Sequence, residues 1–287
     1  MRVNRGLGKS CQIQYLKVMI KLIAIDLDDT LLRTDLTISH KNRAALRAAE
    51  EKGVRLVLAS GRSLPSMKNY SHQLGLHDKP GYLISDNGST ISSTSPFQVL
   101  VSHTLNKALL DELFDAFAEL GLPVQVYQDK TILVTFENQI TLVDVKLSGY
   151  ERHVVPDLKH SLTFQPAKLV IPGDPEFLKA ALVRIRKDFG TQVNSFISKP
   201  YFLEVLPLAA DKGTALAFVA QQAGISPEHI MAIGDAANDL GMIKFAGWGV
   251  AMANAIPDVK AVARIISQAD HEDDGVAEIL EQYVLST

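Results

Sequence analysis

Short apolar runs recur along the chain, each ending in polar or glycine-containing residues and followed by a segment with helical spacing. Ile20-Lys21-Leu22-Ile23-Ala24-Ile25 is nearly continuous in its hydrophobicity, the pattern of a strand buried on both faces of a parallel sheet, and it stops at Asp26. Ser39 suits the N-cap of a helix running through Leu46 and Ala49 to Gly53, after which Val54 to Ala59 reads as a second buried strand. Pro65 falls in the first turn of another helix, Gly75 at its end, and Tyr82 to Ile84 forms a third strand. The alternation predicts βαβ units and a parallel sheet.

Asn87-Gly88 breaks this rhythm, and Ile91 and Gln98 to Val101 read as a hairpin. A helix from Asn106 then carries Leu109, Leu110, Leu113, Phe114 and Phe117 on one face, followed by strand-like runs at Val124 to Tyr127 and Thr131 to Phe136. Asp174-Pro175 opens a second helix with Leu178, Leu182 and Ile185 inward, before strands at Val193 to Ile197 and Phe202 to Leu206. From Lys212 the βα alternation resumes, with strands at Ile230 to Ile233 and Val250 to Met252. The fold class is therefore α/β, a core interrupted by one α+β insert. Its pieces are 19–88 and 207–287 for the core and 89–206 for the insert, with 1–18 as an extension expected to be flexible.

Composition narrows the picture. Of 287 residues, 47% are hydrophobic and 21% charged, which is globular rather than disordered. The net charge of -3 and the lack of a long basic run make nucleic acid an unexpected partner. No apolar run reaches the roughly 20 residues a membrane span needs. The first 18 residues carry Arg2, Arg5, Lys9 and Lys17 but no continuous apolar stretch or small-residue cleavage site, so they do not read as a signal peptide. Met19 directly precedes the first strand, and translation is expected to start there. Cys11 is the only cysteine, which excludes an intramolecular disulfide and suits a reducing compartment; the cytoplasm is the expected location.

Chemistry concentrates at the carboxyl ends of predicted strands, where open α/β sheets bind ligands. Asp26-Leu27-Asp28-Asp29-Thr30 places three carboxylates in four residues, a repulsion that a divalent cation with oxygen ligands relieves; an acidic turn is the alternative. Gly234-Asp235-Ala236-Ala237-Asn238-Asp239 repeats the arrangement after another strand, where a helix start with dipole-complementing aspartates is the plain reading. Ser60-Gly61-Arg62 closes the second strand with a hydroxyl and backbone amides able to hold a phosphoryl oxygen, or serves as an ordinary turn. Lys212 begins a helix against the dipole, a placement explained by a nearby anion or by solvent.

Taken in order, these segments resemble the motifs of the haloacid dehalogenase superfamily, specifically its Cof-type phosphatases with a large inserted cap. Asp26-Leu27-Asp28-Asp29-Thr30-Leu31-Leu32 is similar to the first motif, Ser60-Gly61-Arg62 to the second, Lys212 to the third and Gly234-Asp235 through Asn238-Asp239 to the fourth. Phe202-Leu203-Glu204-Val205, Lys212-Gly213-Thr214-Ala215-Leu216, Gly249-Val250-Ala251-Met252 with Asn254-Ala255, and Asp274-Gly275-Val276-Ala277 also resemble this family. The resemblance spans nearly all of 19–287 and implies a Rossmann-like parallel-sheet core with the insert as an α+β cap domain. It departs at Asp29, where the family more often has glycine.

The resemblance implies Mg2+-dependent hydrolysis of small phosphomonoesters, sugar phosphates foremost, with nucleotide monophosphates and pyridoxal phosphate as other substrates. Asp26 becomes the nucleophile that forms an aspartyl-phosphate, and Asp28 the general acid and base. Mg2+ is expected on Asp26, Asp235 and the backbone carbonyl of Asp28, with Asp239 supporting the shell. Phosphate is expected on Ser60, Lys212, Asn238 and the amides of Leu27 and Gly61. The cap is expected to choose the leaving group. His153, His160 and Arg152 sit in a polar stretch of it that reads either as sugar contacts or as plain surface. The partner is a small phosphorylated metabolite, with monomer and dimer both open. A phosphosugar mutase, a receiver-like phosphoacceptor without turnover, and a non-catalytic metal-dependent binding protein are the competing readings; Asp28 and the large insert argue against the receiver.

Overall fold

The computed structural model describes residues 19–286, and the apolar runs become two sheets. The extension 1–18 and Cys11 lie outside the described residues. The chain first lays down β1 (Leu22–Ile25), α1 (His40–Glu51), β2 (Arg55–Ala59), α2 (Leu64–Gln73), β3 (Tyr82–Ser85), β4 (Thr90–Ser93) and β5 (Gln98–Ser102). It then leaves for α3 (Lys107–Glu119), β6 (Gln125–Gln128), β7 (Thr131–Val134), α4 (Thr141–Ser148), β8 (Glu151–Val154), α5 (Leu158–Ser161), β9 (Leu169–Pro172), α6 (Pro175–Phe189), β10 (Val193–Lys199) and β11 (Phe202–Pro207). It returns with α7 (Lys212–Ala223), β12 (Ile230–Gly234), α8 (Leu240–Phe245), β13 (Trp248–Ala251), α9 (Pro257–Val262), β14 (Ile265–Ile266) and α10 (Gly275–Leu280).

The larger sheet runs β14-β13-β12-β1-β2-β3-β4-β5. Its first six strands are parallel, and β4 and β5 close the edge antiparallel. All four residues of β1 are buried, as both faces of a central parallel strand require. Register then sets the site. Ile25 lies opposite Leu58 of β2 and Ile233 of β12, so Asp26, Ser60 and Asp235 emerge along one edge at the carboxyl ends of three adjacent strands.

Local signals explain the helices. Ser39 accepts a hydrogen bond from the Asn42 amide, Asn106 from Leu109 and Asp174 from Glu176, each satisfying a donor that the helix start leaves open. The smaller sheet runs β10-β11-β9-β6-β7-β8, with β7 and β8 its parallel pair. Leu113 and Phe117 of α3 and Leu178 and Ile185 of α6 bury against Val126, Leu169 and Leu203 of this sheet, giving it a core of its own.

Two features depart from the sequence expectation. The β4–β5 hairpin, expected within the insert at 89–206, pairs with β3 through Tyr82 opposite Ser93 and Ile84 opposite Ile91. Ile91 is buried in the larger core, so the larger sheet extends to Ser102 before the chain crosses over. The second concerns α4, β8, α5 and β9, which hydrophobic patterning does not reveal. Strand β9 is only four residues and ends in Pro172, normally a sign against a strand, while α4 has the apolar Ile140 at its N-cap and exposes Leu142.

Helix α7 meets α8 at glycine against glycine. A Cβ built on Gly213 stands 2.5 Å from the Gly241 carbonyl carbon and 2.7 Å from its Cα, backbone atoms with no rotamer to yield. Gly213→Ala is expected to destabilise the protein by about 1–3 kcal/mol through this overlap, measured as a lower urea midpoint at unchanged slope. An unchanged midpoint shows that the two helices can separate without loss.

Candidate active site

Leu27, Leu31 and Leu32 are fully buried, and this anchors the loop after β1 while its polar residues face the other way. Asp26 is 5% exposed, and Thr30 donates its hydroxyl to Asp235 Oδ1 at 2.8 Å, tying the first loop to the one after β12. Asp29 adopts a left-handed φ of 59°, a conformation that aspartate visits more readily than most residues. Its additional carboxylate meets Lys199 Nζ, at the end of β10, at 2.5 Å, with His271 Nε2 at 3.8 Å. The extra charge at this position is thus answered by a cation from the smaller sheet.

Lys212 lies at the centre. Its fully buried ammonium donates to Asp26 Oδ1 and Asp239 Oδ1, both at 2.6 Å. Asp239 Oδ2 accepts the amides of Asp235 and Ala236, each at 3.0 Å, so both its oxygens are occupied. Gly234 makes this possible, because a Cβ there would stand 2.6 Å from the Asp239 carboxyl carbon. Burial alone pushes the Lys212 ammonium down, but Asp239 and Asp26 outweigh it and hold it above its ordinary value.

Negative charge still predominates. Burial raises the Asp26 carboxyl well above the usual carboxylate range, with Asp239, Asp235 and Asp28 adding to the effect and Lys212 opposing it. Burial, then Asp239, pushes Asp235 up to about 7. One oxygen each of Asp26, Asp235 and Asp239 lies within 4.8 Å of the others. Asp239 already receives three hydrogen bonds, whereas Asp26 gives Oδ1 to Lys212 and Asp235 gives Oδ1 to Thr30, leaving Oδ2 of each without a protein partner among the described residues. The Asp26 and Asp235 carboxylates, buried together with excess negative charge, fit a hard divalent cation. The Asp28 carboxylate is outside this trio: Arg62 grips it at 2.6 and 2.9 Å, which leaves the expectation of metal at Asp28 to its backbone carbonyl.

The loops that carry Gly61 and Asn238 are joined by a network that sequence reasoning missed. Asn238 donates to Asn87 Oδ1 at 2.8 Å, Asn87 donates to Glu204 at 3.0 Å, and Glu204 receives Lys168 at 3.1 Å. Lys168 also reaches the Gly61 carbonyl at 2.8 Å, so one buried ion pair from the smaller sheet ties the Gly61 and Asn238 loops. Glu204 inside the apolar run Phe-Leu-Glu-Val-Leu was the available signal, since a carboxylate in a buried strand needs a partner. Asn87 looked only like a turn residue, and Lys168 follows no motif.

Between the sheets lies a cavity of about 400 Å³ lined by Asp26, Asp28, Ser60, Arg62, Lys168 and Asp235, among others. Tyr150 and Ser63 share a hydroxyl hydrogen bond of 2.7 Å across it, and Arg62 reaches the Leu147 carbonyl at 3.5 Å. His153 and His160 do not line this cavity; they are exposed and face Glu151 and Asp157. Among the described residues no helix is long and apolar enough to cross a membrane.

Lys212→Met is expected to destabilise the fold by about 3–5 kcal/mol without added metal, because it strands Asp26 and Asp239 in the interior. Urea unfolding of both proteins measures this, and a loss below about 1 kcal/mol shows that the carboxylates do not depend on the lysine.

Comparison with known proteins places this geometry. The model of the haloacid dehalogenase-like hydrolases matches residues 23–280. YxeH of Bacillus subtilis (strain 168) is 36% identical over 275 residues, covering 93% of this chain and 100% of its own. The 5-amino-6-(5-phospho-D-ribitylamino)uracil phosphatase YcsE of the same organism is 32% identical over 274 residues, covering 95% of this chain and 99% of its own. A crystal structure of a haloacid dehalogenase-like hydrolase from Bacteroides thetaiotaomicron superposes with a TM-score of 0.84 at 32% identity, over 92% of this chain and 99% of that one. With four acidic and basic motifs gathered at one sheet edge and relatives matched end to end, the chain belongs to the haloacid dehalogenase-like hydrolases and is a phosphatase.

Proposed function

We propose that this phosphatase hydrolyses phosphate monoesters of small hydroxylated metabolites, sugar phosphates foremost, through a covalent phosphoryl group on Asp26, with Mg2+ as cofactor. The observation that carries this is the Asp26 carboxylate. It lines the cavity, with one oxygen fixed by Lys212 and the other without a protein partner among the described residues. An anchored carboxylate with a free oxygen is suited to attack on phosphorus. YcsE supports the substrate class, since its name specifies a phosphorylated ribityl chain. The cysteine-poor, span-free sequence supports a cytoplasmic setting.

In the first half, Asp26 forms a bond to phosphorus while the bond to the leaving oxygen breaks, and Asp28 supplies the proton that the leaving alcohol takes. In the second half, water attacks phosphorus, Asp28 takes its proton, and the bond to Asp26 breaks to release inorganic phosphate. Arg62 keeps Asp28 in one orientation through two hydrogen bonds. Ser60, the amides of Leu27 and Gly61, Asn238 and Lys212 surround the transferring group, and fixed donors there stabilise its spreading charge without reorganising. Asp26, Asp235 and the Asp28 carbonyl would hold Mg2+, which when bound would supply positive charge to screen the phosphoryl oxygens. The smaller sheet with its helices acts as the cap, excluding water and meeting the leaving group.

Phosphate release from a panel of phosphomonoesters is expected to require Mg2+, to stop on chelation, and to fall at least about 1,000-fold in Asp26→Asn and in Asp28→Asn. An Asp26→Asn protein with wild-type turnover removes the nucleophile assignment. Binding provides a separate readout. Mg2+ at 100 times its dissociation constant is expected to stabilise the wild type by about 2.7 kcal/mol and Asp235→Asn far less, by thermal unfolding. Equal shifts in both proteins place the cation elsewhere.

A further inference from the structure

The cap side of the cavity carries a buried carboxylate that the proposed chemistry does not use. Asp144 on α4 is 7% exposed and lines the cavity together with Tyr127, Tyr150, Lys168 and Arg62. Its Oδ2 accepts two hydrogen bonds from β6, from Gln125 Nε2 at 2.8 Å and from the Tyr127 hydroxyl at 2.5 Å. Oδ1 has no protein partner among the described residues. A nine-tenths buried carboxylate held in one orientation, with an oxygen left over at a cavity wall, is an acceptor awaiting a donor, because an unpaired buried charge is costly.

The surrounding charges say what kind of donor. Six carboxylates line this cavity, Asp26, Asp28, Asp29, Asp144, Glu204 and Asp235, against three cations. Each cation already has a carboxylate partner: Arg62 holds Asp28, Lys168 holds Glu204 and Lys199 holds Asp29. Among the described residues, the leaving-group side therefore has no unpaired cation for a second phosphate or a carboxylate. It offers a free acceptor instead. Burial raises both Asp144 and the Tyr127 phenol, so Tyr127 stays protonated and keeps donating.

We propose that Asp144, oriented by Gln125 and Tyr127, is the residue that reads a hydrogen-bond donor on the leaving group, so that the enzyme selects monophosphates whose alcohol carries further hydroxyl or amino groups. This rests on the phosphatase reading above and adds the identity of the group that discriminates. Leaving groups with a second anionic substituent are disfavoured, and those without a donor gain nothing from Asp144.

Asp144→Asn is a shape-preserving test. Gln125 and Tyr127 both donate, so the amide oxygen must take the place of Oδ2, and the cavity then faces an NH2 donor where it had an acceptor. The experiment compares kcat/KM of wild type, Asp144→Asn and Tyr127→Phe in Mg2+ on a panel of sugar-alcohol and amino-alcohol monophosphates, on p-nitrophenyl phosphate, and on a sugar bisphosphate. On the best hydroxylated substrate, Asp144→Asn is expected to lose about 100-fold or more and Tyr127→Phe a smaller factor. Both variants should stay within about threefold of wild type on p-nitrophenyl phosphate, whose leaving group has no donor for Asp144, and the bisphosphate should be the poorest sugar substrate of the wild type. Equal losses on p-nitrophenyl phosphate and on the hydroxylated substrate make Asp144 a structural residue and overturn the proposal, as does wild-type activity of Asp144→Asn across the panel. Asp26→Asn, run alongside, tests the nucleophile independently, because its effect does not depend on the leaving group.

Discussion

A single buried ammonium makes the architecture of this site tenable. Asp26 and Asp239 arrive from different strands into a buried interior, and Lys212 lies 2.6 Å from each, giving both carboxylates one charged donor. The lysine can be there because α7 begins at the mouth of the larger sheet and packs against α8 through Gly213 and Gly241. Asp239 can be there because Gly234 has no side chain to displace it. Backbone and electrostatics are therefore one constraint. The tight glycine contacts permit the ion triad, and the triad in turn fixes one oxygen of Asp26 and leaves the other toward the cavity.

The two sheets meet through paired charges rather than a continuous apolar seam. Lys199 reaches Asp29, and Lys168 binds both Glu204 and the Gly61 carbonyl. Each sheet has its own hydrophobic core, and the cavity between them is lined by charged side chains such as Arg62 and Asp235 beside apolar ones such as Phe202 and Ile256. That division suits a phosphatase. The larger sheet brings Asp26, Asp28, Ser60 and Asp235 to one side of the cavity, while the smaller one brings Asp144 and Tyr127 to the other. Asp29, a departure from the family's usual glycine, acquires a role in this frame as one half of an ion pair between the sheets.

Much of this was legible along the chain because it is local. A strand buried on both faces must be almost wholly apolar, so β1 and β12 announce themselves, and capping residues such as Ser39, Asn106 and Asp174 mark helix starts within a few positions. The β4–β5 hairpin was recognisable as a hairpin, but its attachment to β3 was not, since pairing with an edge strand leaves no mark in the hairpin's own residues. Strand β9 is silent for a related reason. Four residues ending in proline carry too little pattern to separate a strand from a loop, and its place between β11 and β6 comes from its neighbours.

The sequence by itself determined the α/β alternation, the presence of an inserted α+β segment, and the order of acidic and basic motifs at strand ends, because periodicity, capping and turn chemistry act over a few residues. Only the tertiary structure decided which oxygens of Asp26, Asp235 and Asp239 accept protein hydrogen bonds, that Arg62 holds Asp28, and that Asn87, Lys168 and Glu204 tie the Gly61 and Asn238 loops together. The contacts of Arg62 with Asp28 and those among Asn87, Lys168, Glu204, Gly61 and Asn238 join residues from 34 to 151 positions apart, and no local pattern encodes them. They follow from strand register and from the need of each buried charge to find a partner, both of which exist only once the sheets have formed.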